Sequence, residues 1–124
     1  MAYSDTIKLV VGDTLPEIVC TLKDSNTAAS GATLDVEDSS TWAPINLSSG
    51  TVKMIIRKVG ETDLTATITM SLTDASNGVA TCVFPANTWT AAGTYEAEIE
   101  FTNSSSKVQT VQELLKFIVR DDFN

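Results

Sequence analysis

The chain contains no histidine. That absence removes the commonest general base, the usual nitrogen ligand of bound metals and every Ser-His or Cys-His nucleophile arrangement. Cysteine is scarce too. Cys20 and Cys82 are too few for a disulfide framework and lack the close pairing of a zinc knuckle, so they read as two buried, reduced thiols. Positive charge is thin, with 8 Lys and Arg against 16 Asp and Glu, and the net charge of -8 opposes binding to phosphate backbones and anionic membrane surfaces. The expectation is no nucleic-acid and no membrane partner. No apolar run reaches the length of a bilayer span, and Met1-Ala-Tyr-Ser-Asp-Thr6 has neither the basic nor the apolar part of a signal peptide.

What is present suits one folded unit. At 124 residues, 43% hydrophobic and 19% charged, residues 1–124 are expected to form a single domain. A chain of this size buries roughly two thirds of its unfolded surface, enough for one core.

Period-2 alternation recurs along most of the length, and no segment carries an apolar stripe of helical period. The predicted strands are Thr6 to Val11, Glu17 to Lys23, Thr51 to Lys58, Leu64 to Leu72, Val79 to Phe84, Gly93 to Thr102 and Lys107 to Arg120. Between the first two, Gly12-Asp-Thr-Leu-Pro16 bends the chain, because Pro cannot donate to a ladder. Leu64, Ala66, Ile68, Met70 and Leu72 alternate with Thr65, Thr67, Thr69 and Ser71, which predicts one long strand with a dry and a wet face. The last two strands read as a hairpin through Asn103-Ser-Ser-Ser106.

Seven short strands in about a hundred residues fit an all-β, immunoglobulin-like β-sandwich of antiparallel strands, with a small barrel as the alternative. Gly93 and Tyr95, in Ala92-Gly-Thr-Tyr95, match the tyrosine corner that opens the sixth strand of such sandwiches. Ala97 stands where an antibody-type domain has its second disulfide cysteine, and Met54 falls in the region that supplies its core tryptophan. The antibody type is therefore disfavoured.

Glu96, Glu98 and Glu100 form a carboxylate row interleaved with Tyr95, Ala97, Ile99 and Phe101. In a sandwich of this kind the third, sixth and seventh strands are neighbours. The row then lies between Lys53 and Arg57 on one side and Lys116 and Arg120 on the other. Opposite charges across a sheet favour pairing, whereas a cation or a hydrolytic carboxylate pair needs a converging cleft free of Lys and Arg. The row reads as the solvated face of a sheet. Asp35-Val-Glu-Asp38 lacks the spacing and turn glycine of an EF-hand loop and reads as a solvated loop. No catalytic, cofactor-binding or metal-binding residue is expected.

The longest connection, residues 24–49, is an inserted loop between the second and third strands, rich in Ser, Thr, Ala and Asp. Connections of this length commonly carry function or structure of their own. Thr33 to Glu37 is expected to form a short strand. Leu34, Val36, Trp42, Pro44 and Ile45 are the candidate interface residues, with Trp42 either a contact anchor or a cap on the end of the sandwich. The insertion is expected at the same end as Thr73 to Asn77 and Asn103 to Ser106, and the first and last strands, as outer strands, offer a second route for contact.

Several segments together resemble a known family. They are Gly12-Asp-Thr-Leu-Pro16, Cys20-Thr-Leu-Lys-Asp24, Pro44-Ile-Asn-Leu-Ser48 running into Thr51-Val-Lys-Met-Ile-Ile-Arg-Lys58, Asp74-Ala-Ser-Asn-Gly78, and Ala92-Gly-Thr-Tyr-Glu-Ala-Glu98. Their order and spacing resemble the N-terminal domain of phage baseplate upper proteins. The resemblance implies an immunoglobulin-like building block of the virion, without catalysis, that docks on a tail or baseplate ring and carries fibres or receptor-binding parts. Its partners would be other virion proteins of tail, baseplate, neck or capsid, in several symmetric copies, with assembly in the cytoplasm of the bacterial host. The link from Asp24 to Pro44 is longer than the family's usual one, and no coiled coil or fibre is expected after Asn124. A neck adaptor, a capsid decoration protein and a carbohydrate-binding module for host recognition are the alternative readings.

Overall fold

The computed structural model describes residues 3–14, 17–110 and 114–123, which form strands and two short 3-10 turns with no α-helix. In chain order the strands are β1 (Tyr3–Val10), β2 (Ile18–Thr21), β3 (Lys23–Ala28), β4 (Trp42–Pro44), β5 (Thr51–Lys58), β6 (Leu64–Thr69), β7 (Ser71–Asp74), β8 (Val79–Cys82), β9 (Gly93–Thr102), β10 (Val108–Thr110) and β11 (Leu114–Arg120).

A large sheet runs β1-β11-β9-β5-β6, with β10 continuing along β9 beyond β11. A smaller sheet runs β2-β8-β7, and β3 with β4 forms a separate two-stranded ribbon inside the inserted segment. Pairing is antiparallel except between β1 and β11, which run parallel. The parallel pair puts β1 at the edge and β11 inside the sheet. The last strand is therefore no open edge, and of the first and last strands only β1 offers that route.

The core lies between the two sheets. Val52, Met54 and Ile56 of β5, Tyr95, Ala97, Ile99 and Phe101 of β9, and Phe117 and Val119 of β11 pack toward Ala80 and Cys82 of β8. Leu22, Leu47, Met70, Phe84 and Trp89 join the core from the connections. The alternation read along β5 and β9 is thus the alternation found, because a period of two puts every second side chain on the dry side.

The expected strand from Leu64 to Leu72 is corrected twice. Its pairing with β5 slips between Ile56 and Arg57, so that Ala66 lies opposite Ile56 while Leu64 lies opposite Arg57. The bulge turns Leu64 to the outer face, where it is 58% exposed. At Met70 the chain leaves the large sheet for the small one, with the Met70 amide donating to the Val52 carbonyl at 2.8 Å. One strand cannot stay in both layers of a sandwich, and the corner at Met70 lets its two halves line the same core.

Gly78 holds the junction between the small sheet and the insertion. Its φ is +77°, and a Cβ there would stand 2.5 Å from the Leu22 carbonyl oxygen and 3.0 Å from that of Ile45. Only glycine fits both the left-handed backbone and the approach of the two neighbouring chains.

Candidate functional site

The carboxylate row lies on the outer face of the large sheet. Lys53 is opposite Glu100, and both Arg57 and Lys116 are opposite Glu96. Arg57 Nε donates to Glu96 Oε1 at 2.8 Å, and Glu96 is 9% exposed. Two features depart from the expected alternation of charges. Glu98 faces Ile55 rather than a cation. Arg120 lies past the start of β9, donates to the Asp121 carbonyl at 2.9 Å and sits 4.9 Å over the Phe123 ring. Ile55, Arg57, Leu64, Glu96, Ala97 and Glu98 line a depression of about 130 Å³ on this face. Among the described residues no group of three or more Cys, Asp and Glu side chains converges as a bound cation requires. No helix there is long and apolar enough to cross a membrane.

Behind β9 the sheet is tied to its neighbouring loop. The Tyr95 hydroxyl donates to the Ala91 carbonyl at 2.7 Å, the backward bond that a tyrosine corner makes. Burial first, and then the charge of Glu61, raise the pKa of this phenol. Gly93, with φ +154°, opens β9 where the Lys58 side chain passes over it.

The Tyr95 ring meets Trp89 edge-on at 5.2 Å, and Trp89 in turn meets Phe84 at 5.2 Å and Phe117 at 5.1 Å. Trp89 is thus the core tryptophan of this fold, supplied by the connection between β8 and β9. Its position outside any alternating run gave the sequence reading no reason to choose it over Trp42.

The inserted segment is structured by short polar bonds. Thr33 to Glu37 is not a strand, contrary to expectation; strands form at Lys23–Ala28 and Trp42–Pro44, with Lys23 opposite Pro44 and Ala28 opposite Trp42. Side chains of Asp35, Asp38 and Thr41 that bond to nearby backbone compete with a ladder at 35–41. The Asp35 carboxylate accepts from the Glu37 amide at 3.0 Å, and the Asp38 carboxylate from the Ser40 amide at 3.0 Å. Thr41 Oγ1 donates toward the Asp38 carbonyl at 2.7 Å and accepts from the Asp35 amide at 2.9 Å. Bonds from Ser40 hold the Asp38 carboxyl below its ordinary pKa, and bonds from Asn26 and Thr27 do the same for Asp24.

Trp42 is half-buried, and its Nε1–H donates to the Asp35 carbonyl at 2.9 Å. The indole thereby fastens the 35–41 turn to β4. Leu34 is 36% and Val36 63% exposed on either side of the fastened residue, Pro44 is exposed, and Ile45 is half-buried against the core. The five candidate residues therefore divide. Leu34, Val36 and Pro44 face solvent, whereas Trp42 and Ile45 anchor the segment that carries them. The segment returns to the sandwich where the Leu47 amide donates to the Ala75 carbonyl at 2.8 Å.

The two cysteines are free thiols on adjacent strands, Cys20 on β2 half-buried and Cys82 on β8 buried. Burial, with a smaller push from Cys20, raises the Cys82 pKa to about 12. Neither sulfur is an activated nucleophile.

The BppU N-terminal domain model matches residues 6–124. No curated protein is significantly similar in sequence. Among solved structures, the N-terminal domain of phage TP901-1 ORF48 superposes with a TM-score of 0.59 at 16% identity, covering 94% of this chain and 85% of that one. CopC from Methylosinus trichosporium OB3b overlays at a TM-score of 0.48 and 10% identity, over 98% of this chain and 89% of that one, a likeness too weak to carry meaning. The match spans nearly the whole sequence, and the all-β arrangement agrees with it. The chain therefore belongs to the BppU N-terminal domain family, a structural domain of the phage baseplate not known as an enzyme, and is a virion component that associates with other virion proteins.

Proposed function

We propose that the chain is an adaptor of the phage tail or baseplate, which docks on a neighbouring virion protein through the inserted segment and holds fibres or receptor-binding parts in place. The observation that carries this reading is the fastening of residues 35–41 by Trp42 Nε1, with Leu34 and Val36 left open to solvent on the fastened turn. An ordered loop loses little conformational entropy on binding, so apolar side chains displayed on one contribute more to affinity than the same side chains on a loose loop. Several copies in a symmetric ring, assembled in the host cytoplasm, complete the proposal.

Complementation of an infecting phage tests it. Val36→Asp together with Leu34→Asp places charge at the contact while touching nothing buried, and is expected to yield a folded chain that fails to enter particles. Normal incorporation of the double variant would remove the insertion from the docking surface.

A further inference from the structure

Among the described residues the path of each main sheet ends in two open edges, β1 and β6 of the large sheet and β2 and β7 of the small one, with three-residue β10 beside β9 off that path. An open edge is a template for another strand unless charge, a bulge or brevity guards it. β1 carries Lys8 mid-strand and its ladder slips between Tyr3 and Thr6. β6 is bulged opposite Ile56 and Arg57, and the pairing of β7 slips between Ser71 and Asp74. β2 is short, at four residues, but it carries no bulge and no charge within Ile18–Thr21. Its ladder with β8 is regular from Ile18 to Thr21, and Val19 in it is 66% exposed.

The backbone direction at this edge follows from Leu22. Its amide donates to the Gly78 carbonyl at 2.7 Å and its carbonyl accepts from the Ile45 amide at 2.9 Å, so its main-chain groups point toward β8 and β4. Alternation along an extended chain turns those of Glu17, Val19, Thr21 and Lys23 to the open side.

We infer that this edge is a self-association site, at which β2 of one copy pairs antiparallel with β2 of a second copy about a two-fold axis through Cys20. The stretch Glu17-Ile-Val-Cys-Thr-Leu-Lys23 is self-complementary in that register, with its charges of opposite sign three residues either side of Cys20. Glu17 meets Lys23 of the second copy, Val19 meets Thr21, and each match occurs twice because the interface is isologous. These four are also the residues whose backbone groups face outward, so the ladder and the charge pairs select the same register. A slip of two residues sets Lys23 opposite Val19, or Glu17 opposite Thr21, and loses both charge pairs. An edge guarded against self-pairing would carry charges of one sign instead.

The surroundings suit a chain of net charge -8. Val19 lies opposite Thr81, which lies opposite Ser71, and Thr73 Oγ1 bonds Thr81 Oγ1 at 3.0 Å, so this row of the small sheet is uncharged, whereas Asp74 lies opposite Val79 in the row of Thr21. Two copies meeting there face less repulsion than at the acidic row of β9. The product is a continuous sheet of order β7-β8-β2-β2-β8-β7. This contact adjoins the insertion at Lys23, which opens β3 and whose Nζ donates to the Ser39 carbonyl at 3.4 Å.

Sedimentation of the purified chain over a concentration series tests the inference, with a reversible dimer as the expected result. Glu17→Lys and Lys23→Glu are each expected to raise the dimer dissociation constant roughly tenfold, and the double exchange to restore it at unchanged net charge. Val19→Pro removes an amide that points to the open edge and none that bonds β8, so it should abolish the dimer and leave circular dichroism unchanged. A short bismaleimide should join Cys20 to Cys20 in the dimer. A chain that stays monomeric at every concentration, a dimer that survives Val19→Pro, or a double exchange that fails to rescue would each overturn the site. Should Val19→Pro prevent folding, the charge exchange and the Cys20 cross-link still decide it.

Discussion

Trp42 and Trp89 sit in two connections of similar polar and small-residue character, yet they serve opposite ends of the molecule's economy. Trp89 is 1% exposed, surrounded by the rings of Phe84, Tyr95 and Phe117, and its Nε1–H meets no oxygen or nitrogen acceptor among the described residues. Trp42 is half-buried and gives its Nε1–H to the Asp35 carbonyl. An unbonded buried donor costs about 1–3 kcal/mol. The full burial of an indole outweighs that cost. In Trp89 the apolar body dominates and joins two sheets. In Trp42 the polar tip dominates and orders a surface loop.

Removing each ring should separate the two roles, and the largest effect belongs to the core. Trp89→Ala is expected to lower unfolding free energy by about 3–5 kcal/mol, measured by urea or thermal denaturation. A loss below about 1 kcal/mol would show that Trp89 does not hold the sheets together. Trp42→Ala should cost about 1–2 kcal/mol and keep unfolding cooperative, while proteolysis and hydrogen exchange at 35–41 accelerate. Collapse of the whole fold in that variant would place Trp42 in the core alongside Trp89.

A pH titration sharpens the contrast between the buried and the exposed parts. The folded-state pKa of Cys82 stands above its unfolded value of 9.0, at about 12, so its contribution is complete below about pH 9 and is lost as pH rises toward 12. Cys20 is shifted in the same direction by burial and adds with the same sign. Stability should therefore fall over that alkaline window, and a Cys82→Val chain should lose less of it. Asp24 and Asp38 act the other way. Their lowered pKa values make a contribution that is present above the ordinary carboxylate range and lost as pH falls through it. The smallest expected change is Glu96→Gln, which loses the ion pair with the half-exposed Arg57 and should cost about 0.2–1 kcal/mol, diminished by salt.

Much of the sheet architecture was legible because alternation is a local property. Tyr95, Ala97, Ile99 and Phe101 could be set on the dry side and Glu96, Glu98 and Glu100 on the opposite side from spacing alone, as could the adjacency of the strands bearing Lys53, Glu96 and Lys116, but not the covering of Glu96, which leaves it 9% exposed. Leu64 was misread because a bulge in the pairing with β5 overrides its parity, and a bulge depends on the partner strand. Met70 was read as mid-strand because nothing in its neighbours announces a corner between layers. In the insertion, Trp42 could be picked out as an aromatic in a polar loop, but its bond to Asp35 depends on a turn that Thr41 and Asp38 build through space.

The sequence by itself determined that this chain is all-β, that most of its alternating apolar residues lie inside, and that its ordered segments resemble a phage baseplate domain. Those conclusions rest on periodicity, charge and motif spacing, which neighbouring residues carry without reference to the rest of the chain. Tertiary structure alone decided which tryptophan fills the core, where the fourth predicted strand changes sheets, and which strand edges stay open. Each of those depends on residues distant in sequence meeting across a ladder or between layers, where packing and backbone hydrogen bonding select among arrangements that local pattern leaves equivalent.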